Sequence, residues 1–423
     1  MRKSLVFIIV MCSICLCCNK KPDLYHIIDI ESIVNKMEKV NLSDLIDSIY
    51  YLRIKLPDSI SIRSIQKIAC SGEFIFISDL ENCFLIDKNG NFIRKIGAKG
   101  RGPNDYKYVN QIGITPDGTL LIQSMYDLIK YKCDGTILEI KKGYFQREKN
   151  FIGSWIVLND SVVCGKIAFY TGQEKSKAVL INLNGNLIAE IDNNFFVNRS
   201  FPVLNDFEIN AIQTLYKGKL FFKEGYNDTL YRLEENDSFL PELVIKTGMY
   251  SQNIFTGNRD EFDDYLKQEF EKITLENIFI TDHFYLLDFQ FNKNFPAKRL
   301  TPRNLAPGIT SFYNTSHILG LYDKFTSNMI LCKPLSTDNP LCTTGVSNDY
   351  DGGPNFFPDY QVDDSTLVMF LNVSDLKEYL LSSEFMDNKP KNPEKKKNLI
   401  DFINSLTENE NYVLMYCIIS VHK

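Results

Sequence analysis

A hairpin pattern that occurs three times limits the folds open to this chain. The copies read FLIDKNGNFIRKIG (84–97), IKYKCDGTILEIKK (129–142) and VLINLNGNLIAEID (179–192). In each copy, a strand with alternating apolar residues reaches an Asn-Gly or Asp-Gly pair, and a second alternating strand follows. Glycine supplies the positive φ that tight hairpin turns require. The turn glycines are 45 and 50 residues apart: Gly90, Gly135 and Gly185.

A weaker pair of strands precedes the first two hairpins, with turns at Ser71-Gly72 and Asp117-Gly118. Each repeat therefore contains four strands, and four strands in about 40–50 residues is the spacing of a β-propeller blade. A single blade cannot bury both of its faces. Blades arranged around an axis cover one another, and closing the ring removes the free edges.

Later segments carry fainter versions of the same pattern. A fourth blade is predicted at 216–235, a fifth at 278–293 with 316–334, and a sixth at 364–373 with 411–421. The segment Tyr50–Leu56 is a candidate closing strand from the other end of the chain. The 30 Phe and 22 Tyr residues agree, because both residue types favour strands. The predicted fold is all-β: a six-bladed β-propeller of four-stranded antiparallel blades over residues 46–423.

Two insertions with helical periodicity lengthen the later blades. Near 259–273, Phe262, Tyr265, Leu266 and Phe270 recur on one helical face. Near 374–408, two amphipathic patches flank the basic stretch KPKNPEKKK (389–397). That stretch is predicted to be a solvated loop broken by its prolines, with a functional basic patch as the alternative.

The N-terminus has the features of a lipoprotein signal peptide over residues 1–17. Arg2 and Lys3 precede an apolar run of 12 residues, whereas a bilayer span needs about 20. The run ends in CLCCNKKPD, which resembles a bacterial lipobox. Cys18 is the predicted lipid-attachment residue and Cys17 the runner-up; ordinary secretion with cleavage nearby is the alternative. Residues 18–45 are predicted to be a tether and lead-in to the propeller.

Seven cysteines follow the signal segment, and their irregular spacing forms neither a disulfide framework nor a zinc site. Most are expected to be small apolar core residues. A disulfide between Cys332 and Cys342 is left open.

No cofactor is predicted, although Asp349, Asp351 and Asp359 could together supply oxygen ligands to Ca²⁺.

Three stretches resemble the six-bladed β-propeller lipoproteins of Bacteroides-type bacteria, which are distantly similar to NHL-repeat propellers. They are FLIDKNGNFIRKIGAKGRGPNDY (84–106), GYNDTLYRL followed by LPELVIKTG (225–248), and YDGGPNFFP (350–358) leading to DLKEYL and ENENYVLMYCII. In the first stretch, Asn104-Asp105 stands where glutamate is more usual. The resemblance implies the fold and no particular activity, because such families share none.

The loop IGAKGRGPNDY (96–106) admits two interpretations. A phosphate cradle needs converging backbone N–H groups at a helix N-terminus, but Pro103 lacks that donor and a strand follows instead of a helix. The loop is therefore predicted to be the crossover from the outer strand of one blade to the inner strand of the next. If it binds a ligand, the candidate residues are Lys99 and Arg101 for an anionic group, Tyr106 for stacking on a sugar, and Asp105.

A second cluster, YDGGPNFFPDY (350–360), is assigned to core packing, with an exposed platform of Phe356, Phe357 and Tyr360 as the alternative.

Neither an H-E-x-x-H nor a G-x-S-x-G motif occurs, so no catalytic residue is predicted. The net charge of −6 argues against nucleic-acid binding.

These features predict a lipid-anchored protein of the bacterial cell envelope whose propeller is a non-catalytic binding platform for a glycan, a peptide or a partner protein. The alternative is a propeller-type lyase or hydrolase with a metal in the central channel. The residues after Cys18, NKKPD, are not a run of acids, which favours a periplasm-facing location over the cell surface.

Overall fold

The computed structural model describes residues 25–420 except 148–149, 199–211, 236–237, 270–271, 292–298, 307–308, 336, 338 and 408–409. In these residues the strands form six sheets, each built on four antiparallel strands. The predicted six-bladed β-propeller with short helical insertions is confirmed. The predicted signal peptide, Cys17 and Cys18 lie outside the described residues.

Two strands precede the first blade: β1 (His26–Asp29) and β2 (Ile46–Arg53). Blade 1 contains β3 (Lys67–Ser71), β4 (Phe74–Ser78), β5 (Cys83–Asp87) and β6 (Phe92–Ile96). Blade 2 contains β7 (Gln111–Ile114), β8 (Leu120–Ser124), β9 (Asp127–Tyr131) and β10 (Ile137–Lys141). The two-residue β11 (Gln146–Arg147) precedes the four main strands of blade 3: β12 (Asn150–Val157), β13 (Val162–Ile167), β14 (Ser176–Asn182) and β15 (Leu187–Asp192).

Blade 4 contains β16 (Ile212–Tyr216), β17 (Lys219–Lys223), β18 (Thr229–Leu233) and β19 (Phe239–Lys246). Blade 5 contains β20 (Thr274–Ile280), β21 (Phe284–Phe291), β23 (Ile309–Asp323) and β24 (Met329–Leu331), and β22 (Arg299–Ala306) pairs with the first half of β23 as a hairpin. Blade 6 contains β25 (Tyr360–Gln361), β26 (Thr366–Asn372) and β27 (Tyr412–Ile419), with β2 as its outermost strand.

The ring is closed by pairing an N-terminal strand with the last strand of the chain. β2 is antiparallel to β27, in a register that runs from Ile46 opposite Ile419 to Arg53 opposite Val413. The closing strand predicted at 50–56 is thus present but begins earlier, because Ile46 is buried in the core beside its partner. β2 thereby covers the outer edge of β27 and completes the four strands of blade 6.

The repeated hairpins form as their turn residues predict. Gly90, Gly135 and Gly185 have φ angles of +81°, +85° and +91°, the left-handed region that favours glycine. At Gly90, a Cβ atom would also collide with the backbone carbonyl oxygen of Arg53 in β2. This turn therefore needs glycine both for its φ angle and for the contact with the closing strand.

The two ends of the propeller differ in the length of their connections. The second and fourth strands of every blade end on the same side, here called the loop end, and the opposite side is the turn end. In the described part of the chain, no connection at the turn end exceeds five residues. The connections 247–273, 332–359 and 373–411 and the β22 hairpin all leave from the loop end.

Helices occur in the N-terminal segment and in two loop-end connections. They are α1 (Ile30–Ile33), α2 (Phe262–Glu269), α3 (Val373–Leu380), α4 (Ser383–Asp387) and α5 (Pro393–Asn404), with 3-10 turns at Leu42–Asp44, Gly248–Tyr250 and Arg259–Glu261. The predicted loop 389–397 is partly wrong, because α5 begins inside it. Pro393 occupies the first turn, where its missing N–H costs nothing, and the Asn392 side chain accepts from two backbone N–H groups.

Helices α3 to α5 pack into the largest core cluster, between blades 5 and 6. Leu376, Tyr379, Leu399 and Ile403 are buried there together with strands β26 and β27. Phe356 and Phe357 belong to the same cluster and are fully buried. Core packing is therefore the role of these two phenylalanines, not an exposed platform.

The segment predicted as tether and lead-in has regular structure from His26 onward. β1 pairs in parallel with β19 and adds a fifth strand to blade 4. Farther on, Glu38 and Asn41 form isolated bridges with Cys332 and Ser347 in the connection from blade 5 to blade 6. Among the described residues, none of the helices has the length and apolar character needed to cross a bilayer.

Candidate ligand-binding site

The loop 96–106 connects β6, the outermost strand of blade 1, to β7, the innermost strand of blade 2, which is the predicted crossover. It folds around Asp105, whose Oδ2 accepts the backbone N–H of Gly102 at 2.8 Å. A Cβ atom at Gly100 would collide with the same carboxylate. The glycines of this loop therefore allow the chain to turn closely around Asp105.

The candidate residues of this loop lie in different environments. Lys99 contacts Glu81 at 2.6 Å, and this pairing holds the pKa of Glu81 below its usual value. Arg101 is exposed at the loop end. Tyr106 is only 1% exposed and packs in the core between blades 1 and 2, so its ring is not available for stacking on a ligand. Ligand contact stays a prediction for Lys99, Arg101 and Asp105.

The aspartates considered for Ca²⁺ are each engaged by different protein groups. Asp349 accepts from Ser43 and lies 3.4 Å from Lys391, Asp351 accepts from Tyr51 and Asn348, and Asp359 accepts from the backbone of Phe370. No group of three His, Cys, Asp or Glu side chains suited to a metal occurs within the described residues. These three carboxylates do not converge on a common point.

A cavity of about 500 Å³ opens at the loop end among blades 3, 4 and 5. Such a volume lies in the range of about 300–1,000 Å³ that small-ligand sites occupy. Its walls come from the start of β14, the residues after β15, the β17–β18 turn, and the segments that end β19 and begin β20. The polar and aromatic lining residues are Lys177, Asn193, Asn194, Phe195, Lys223, Glu224, Tyr226, Asn227, Asp228, Tyr231, Thr247, Ser251, Gln252 and Thr274.

The β17–β18 turn places the central residues of this cavity. Leu220, Phe221 and Phe222 are buried in β17, and Lys223 ends the strand at the cavity wall. Asn227 then closes the turn, because its side-chain oxygen accepts the backbone N–H of Thr229 at 2.9 Å. The resulting turn presents Glu224, Tyr226 and Asp228 beside Lys223.

Lys223 is a buried cation, with 7% of its surface exposed. Its Nζ donates to the backbone oxygen of Glu224 at 3.1 Å. Burial lowers the pKa of Lys223 to about 8, and the nearby carboxylates of Asp228, Glu224 and Glu276 oppose that effect. Burial also raises the pKa of Asp228, while Lys223 acts in the opposite direction. The cavity wall thus holds one buried lysine, while Asp228 stays exposed to solvent at its rim.

A hydrogen-bonded network supports one wall of the cavity. The Tyr226 hydroxyl donates to Glu224 at 2.6 Å, and Lys177 lies 3.5 Å from the same carboxylate. Lys177 also lies over the ring of Tyr231, 5.3 Å from its centroid, a favourable cation–π arrangement. These contacts fix Glu224 as a structural group of the wall.

The aromatic part of the wall is a stacked pair. The rings of Phe195 and Tyr226 are 4.8 Å apart and inclined by 27°, and Phe169 supports Tyr226 from behind at 5.0 Å. Asn193 orients the segment, because its side chain donates to the backbone of Glu174 and accepts from the backbone of Phe195. Phe195 remains 39% exposed at the cavity.

The fold and this cavity define the chain as a six-bladed β-propeller with a polar and aromatic ligand-sized cavity at its loop end. The chain belongs to the family described as Domain of unknown function (DUF4934), which it matches over residues 25–417. No curated protein matches the sequence.

Solved structures of two Bacteroides proteins are similar to this chain. One is a protein of Bacteroides fragilis whose name describes it as exported, with 14% identity and a TM-score of 0.62 over 94% of this chain and 99% of that one. The other is a member of the DUF4221 family from Bacteroides vulgatus, with 12% identity and a TM-score of 0.50 over 91% of this chain and 99% of that one. The resemblance to Bacteroides propellers is confirmed; at these identities it concerns the fold.

Proposed function

We propose that this protein is a lipid-anchored component of the bacterial cell envelope whose propeller binds a ligand at the loop end without changing it chemically. The observation that carries the proposal is the loop-end cavity, where donors, acceptors and an exposed aromatic ring line one space on a rigid sheet scaffold. Ligand sites of this kind combine apolar surface with a few placed polar groups. A glycan, a peptide or a segment of a partner protein would each meet such groups.

The loop 96–106 is a second candidate region for ligand contact at the loop end. Lys99 and Arg101 lie in the crossover between blades 1 and 2, and the cavity lies among blades 3 to 5. A glycan chain or partner protein larger than the cavity would extend across the loop end towards these residues. Their contribution is tested by calorimetric titration of the paired variant Lys99→Ala/Arg101→Ala, in which the affinity for a ligand of this size should fall.

Anchoring is proposed at Cys18, with Cys17 as the runner-up. The apolar segment and the cysteines that follow it support this assignment, and the exported Bacteroides fragilis neighbour agrees with an envelope location. Acyl chains contribute about 0.8 kcal/mol per buried CH₂, so several chains on one cysteine hold a propeller at a membrane. The absence of an acidic run after Cys18 supports the periplasm-facing orientation.

Detergent partitioning of wild type, Cys18→Ala and Cys17→Ala tests the anchor. We expect Cys18→Ala to lose incorporation of an alkynyl fatty acid and to move from the detergent phase to the aqueous phase. Cys17→Ala serves as the matched control and should keep both properties. If only Cys17→Ala loses fatty-acid incorporation and detergent partitioning, the lipid is attached to Cys17. If both variants keep these properties, lipidation at this site is contradicted.

Ligand binding is tested by calorimetric titration of the purified propeller with neutral oligosaccharides and short peptides. Binding that weakens in Lys223→Met and persists in Lys166→Met would place the ligand in the loop-end cavity. Lys166 is the matched control, because it is a buried lysine on β13, the second strand of blade 3, and does not line the cavity. Mass spectrometry of the recovered ligand decides between binding and the alternative lyase or hydrolase activity: cleavage would contradict the platform.

A further inference from the structure

We infer that the loop-end cavity recognises a neutral sugar residue, with its ring against Phe195 and its hydroxyl groups bonded to Lys223, Asp228 and Gln252. This inference rests on the proposed function and specifies its ligand class. It follows from the balance of charge in the cavity, from polar atoms that lack partners there, and from the position of the aromatic wall.

The charges that line the cavity are balanced. Lys177 and Lys223 face Glu224 and Asp228, and Glu276 lies close enough to act on Lys223. Lys177 is already paired with Glu224. An anionic ligand would gain the attraction of two lysines but meet the repulsion of two or three carboxylates. Because desolvating an unpaired charge is costly, this cavity favours a ligand without net charge.

The cavity also contains both donors and acceptors that lack protein partners. Nζ of Lys223 has one hydrogen bond, so two of its three N–H groups find no acceptor among the described residues. Oε1 of Gln252 is buried without a partner, while its Nε2 donates to Thr274. The Asp228 carboxylate is exposed at the rim of the cavity and accepts no hydrogen bond from the described residues, so it is an accessible acceptor for a ligand.

A buried polar atom without a partner costs about 1–3 kcal/mol, and a ligand that completes its hydrogen bonds recovers that cost. The hydroxyl groups of one sugar ring can donate to the carboxylate of Asp228 and to Oε1 of Gln252 while accepting from Lys223. A ligand group that only donates hydrogen bonds would leave Lys223 without an acceptor. A group that only accepts would leave Asp228 and Gln252 without a donor. Hydroxyl groups, each of which can both donate and accept, therefore suit this mixed set of donors and acceptors.

The aromatic wall fits the remaining surface of a sugar. Phe195 is stacked on Tyr226, lines the cavity and stays 39% exposed, so part of its ring is available to a ligand. The C–H face of a sugar ring is apolar and packs on such a ring, while its hydroxyls point sideways to the polar wall. Aromatic rings contribute large contact areas at low entropic cost. The wall and the polar set thus bind different faces of one ligand ring.

Calorimetric titration with neutral trisaccharides tests the inference directly. The panel contains maltotriose, mannotriose, xylotriose and galactotriose, with trigalacturonate as the anionic counterpart and triserine as the peptide counterpart. We expect at least one neutral trisaccharide to bind, and its affinity to fall at least tenfold in both Lys223→Met and Phe195→Ala. Lys166→Met should bind as wild type does.

Each other outcome overturns a defined part of this assignment. Trigalacturonate or triserine binding that is lost in Lys223→Met, with no neutral trisaccharide bound, would overturn the sugar assignment and leave the cavity as the binding site. Trisaccharide binding unaffected in both variants would overturn the cavity itself. If no trisaccharide binds, the neutral-sugar assignment is wrong. Should Lys223→Met fail to fold, Phe195→Ala decides the outcome, because Phe195 is partly exposed and outside the core clusters.

Discussion

The phenolic hydroxyl of Tyr51 donates a hydrogen bond to Oδ2 of Asp351 at 2.9 Å. Tyr51 lies on β2, the strand that closes the ring, and Asp351 lies in the connection from blade 5 to blade 6. Oδ1 of Asp351 also accepts from the side chain of Asn348 and the backbone of Gly353. One buried carboxylate therefore ties the closing strand to the loop that leads into the last blade.

Tyr51→Phe should lower the free energy of unfolding by about 1–3 kcal/mol, because the buried carboxylate loses one donor. Urea unfolding followed by the fluorescence of the single, buried Trp155 measures this change. Tyr412→Phe is the matched control, since that hydroxyl bonds the backbone of Arg63 at an exposed site, and we expect a smaller loss. A double-mutant cycle with Asp351→Asn should show coupling; additive effects would contradict the direct interaction.

Ile46→Ala should destabilise the protein by about 2–4 kcal/mol, because the deletion leaves a cavity in the core beside Ile419. Ile46 is 0% exposed on the closing strand, whereas Ile93, on the outermost strand of blade 1, is 38% exposed. Ile93→Ala serves as the control and should cost less than about 1 kcal/mol. Equal losses of stability in urea would mean that β2 contributes no more than an ordinary outer strand.

The pH dependence of stability should reveal the burial of Lys223. Its pKa is about 8 in the folded protein, below the ordinary lysine value of 10.5, so between these values the unfolded chain binds more protons than the folded one. Stability of wild type relative to Lys223→Met should therefore rise as the pH increases from 7 to 9.5, by about 2 kcal/mol. Urea unfolding at both pH values measures it, and parallel pH profiles would contradict the assignment.

The thiols of Cys332 and Cys342 should be unreactive in the native protein. Both are buried and free, and burial raises the pKa of each to about 12. Iodoacetamide at pH 8 should modify them only after unfolding, because the thiolate is the nucleophile. Dithiothreitol should leave the melting temperature unchanged. Detection of a Cys332–Cys342 disulfide by non-reducing peptide mapping would contradict the assignment of both residues as free thiols.

The blades could be predicted because their signals are local. Gly90, Gly135 and Gly185 follow alternating strands within a few residues, and the structure places each at a positive φ. β1 gave no such signal, since it has four residues and its partner Leu243 lies more than 200 residues farther along the chain. Parallel pairing over that separation depends on the assembled ring, which no short window of sequence contains.

The cavity could not be predicted for a related reason. Its walls come from three blades, between Lys177 and Leu275, so its residues meet only after the blades have packed. In the loop 96–106 the glycines and charges are contiguous in the sequence, yet Gly97 and Gly100 allow close contact with Tyr106 and Asp105. The available signal was the charged pair Lys223-Glu224 at the end of a buried strand. The stretch 225–233 that carries part of the family resemblance forms the next part of the same wall.

Ring closure by β2 also sets an order of events during biosynthesis. β2 is translated more than 300 residues before β27, the strand that it must join. Until β27 has left the ribosome, Ile46 and its neighbours on β2 have no strand to pair with. The propeller ring therefore stays open. In an exported chain, the ring could close only after β27 had crossed the membrane.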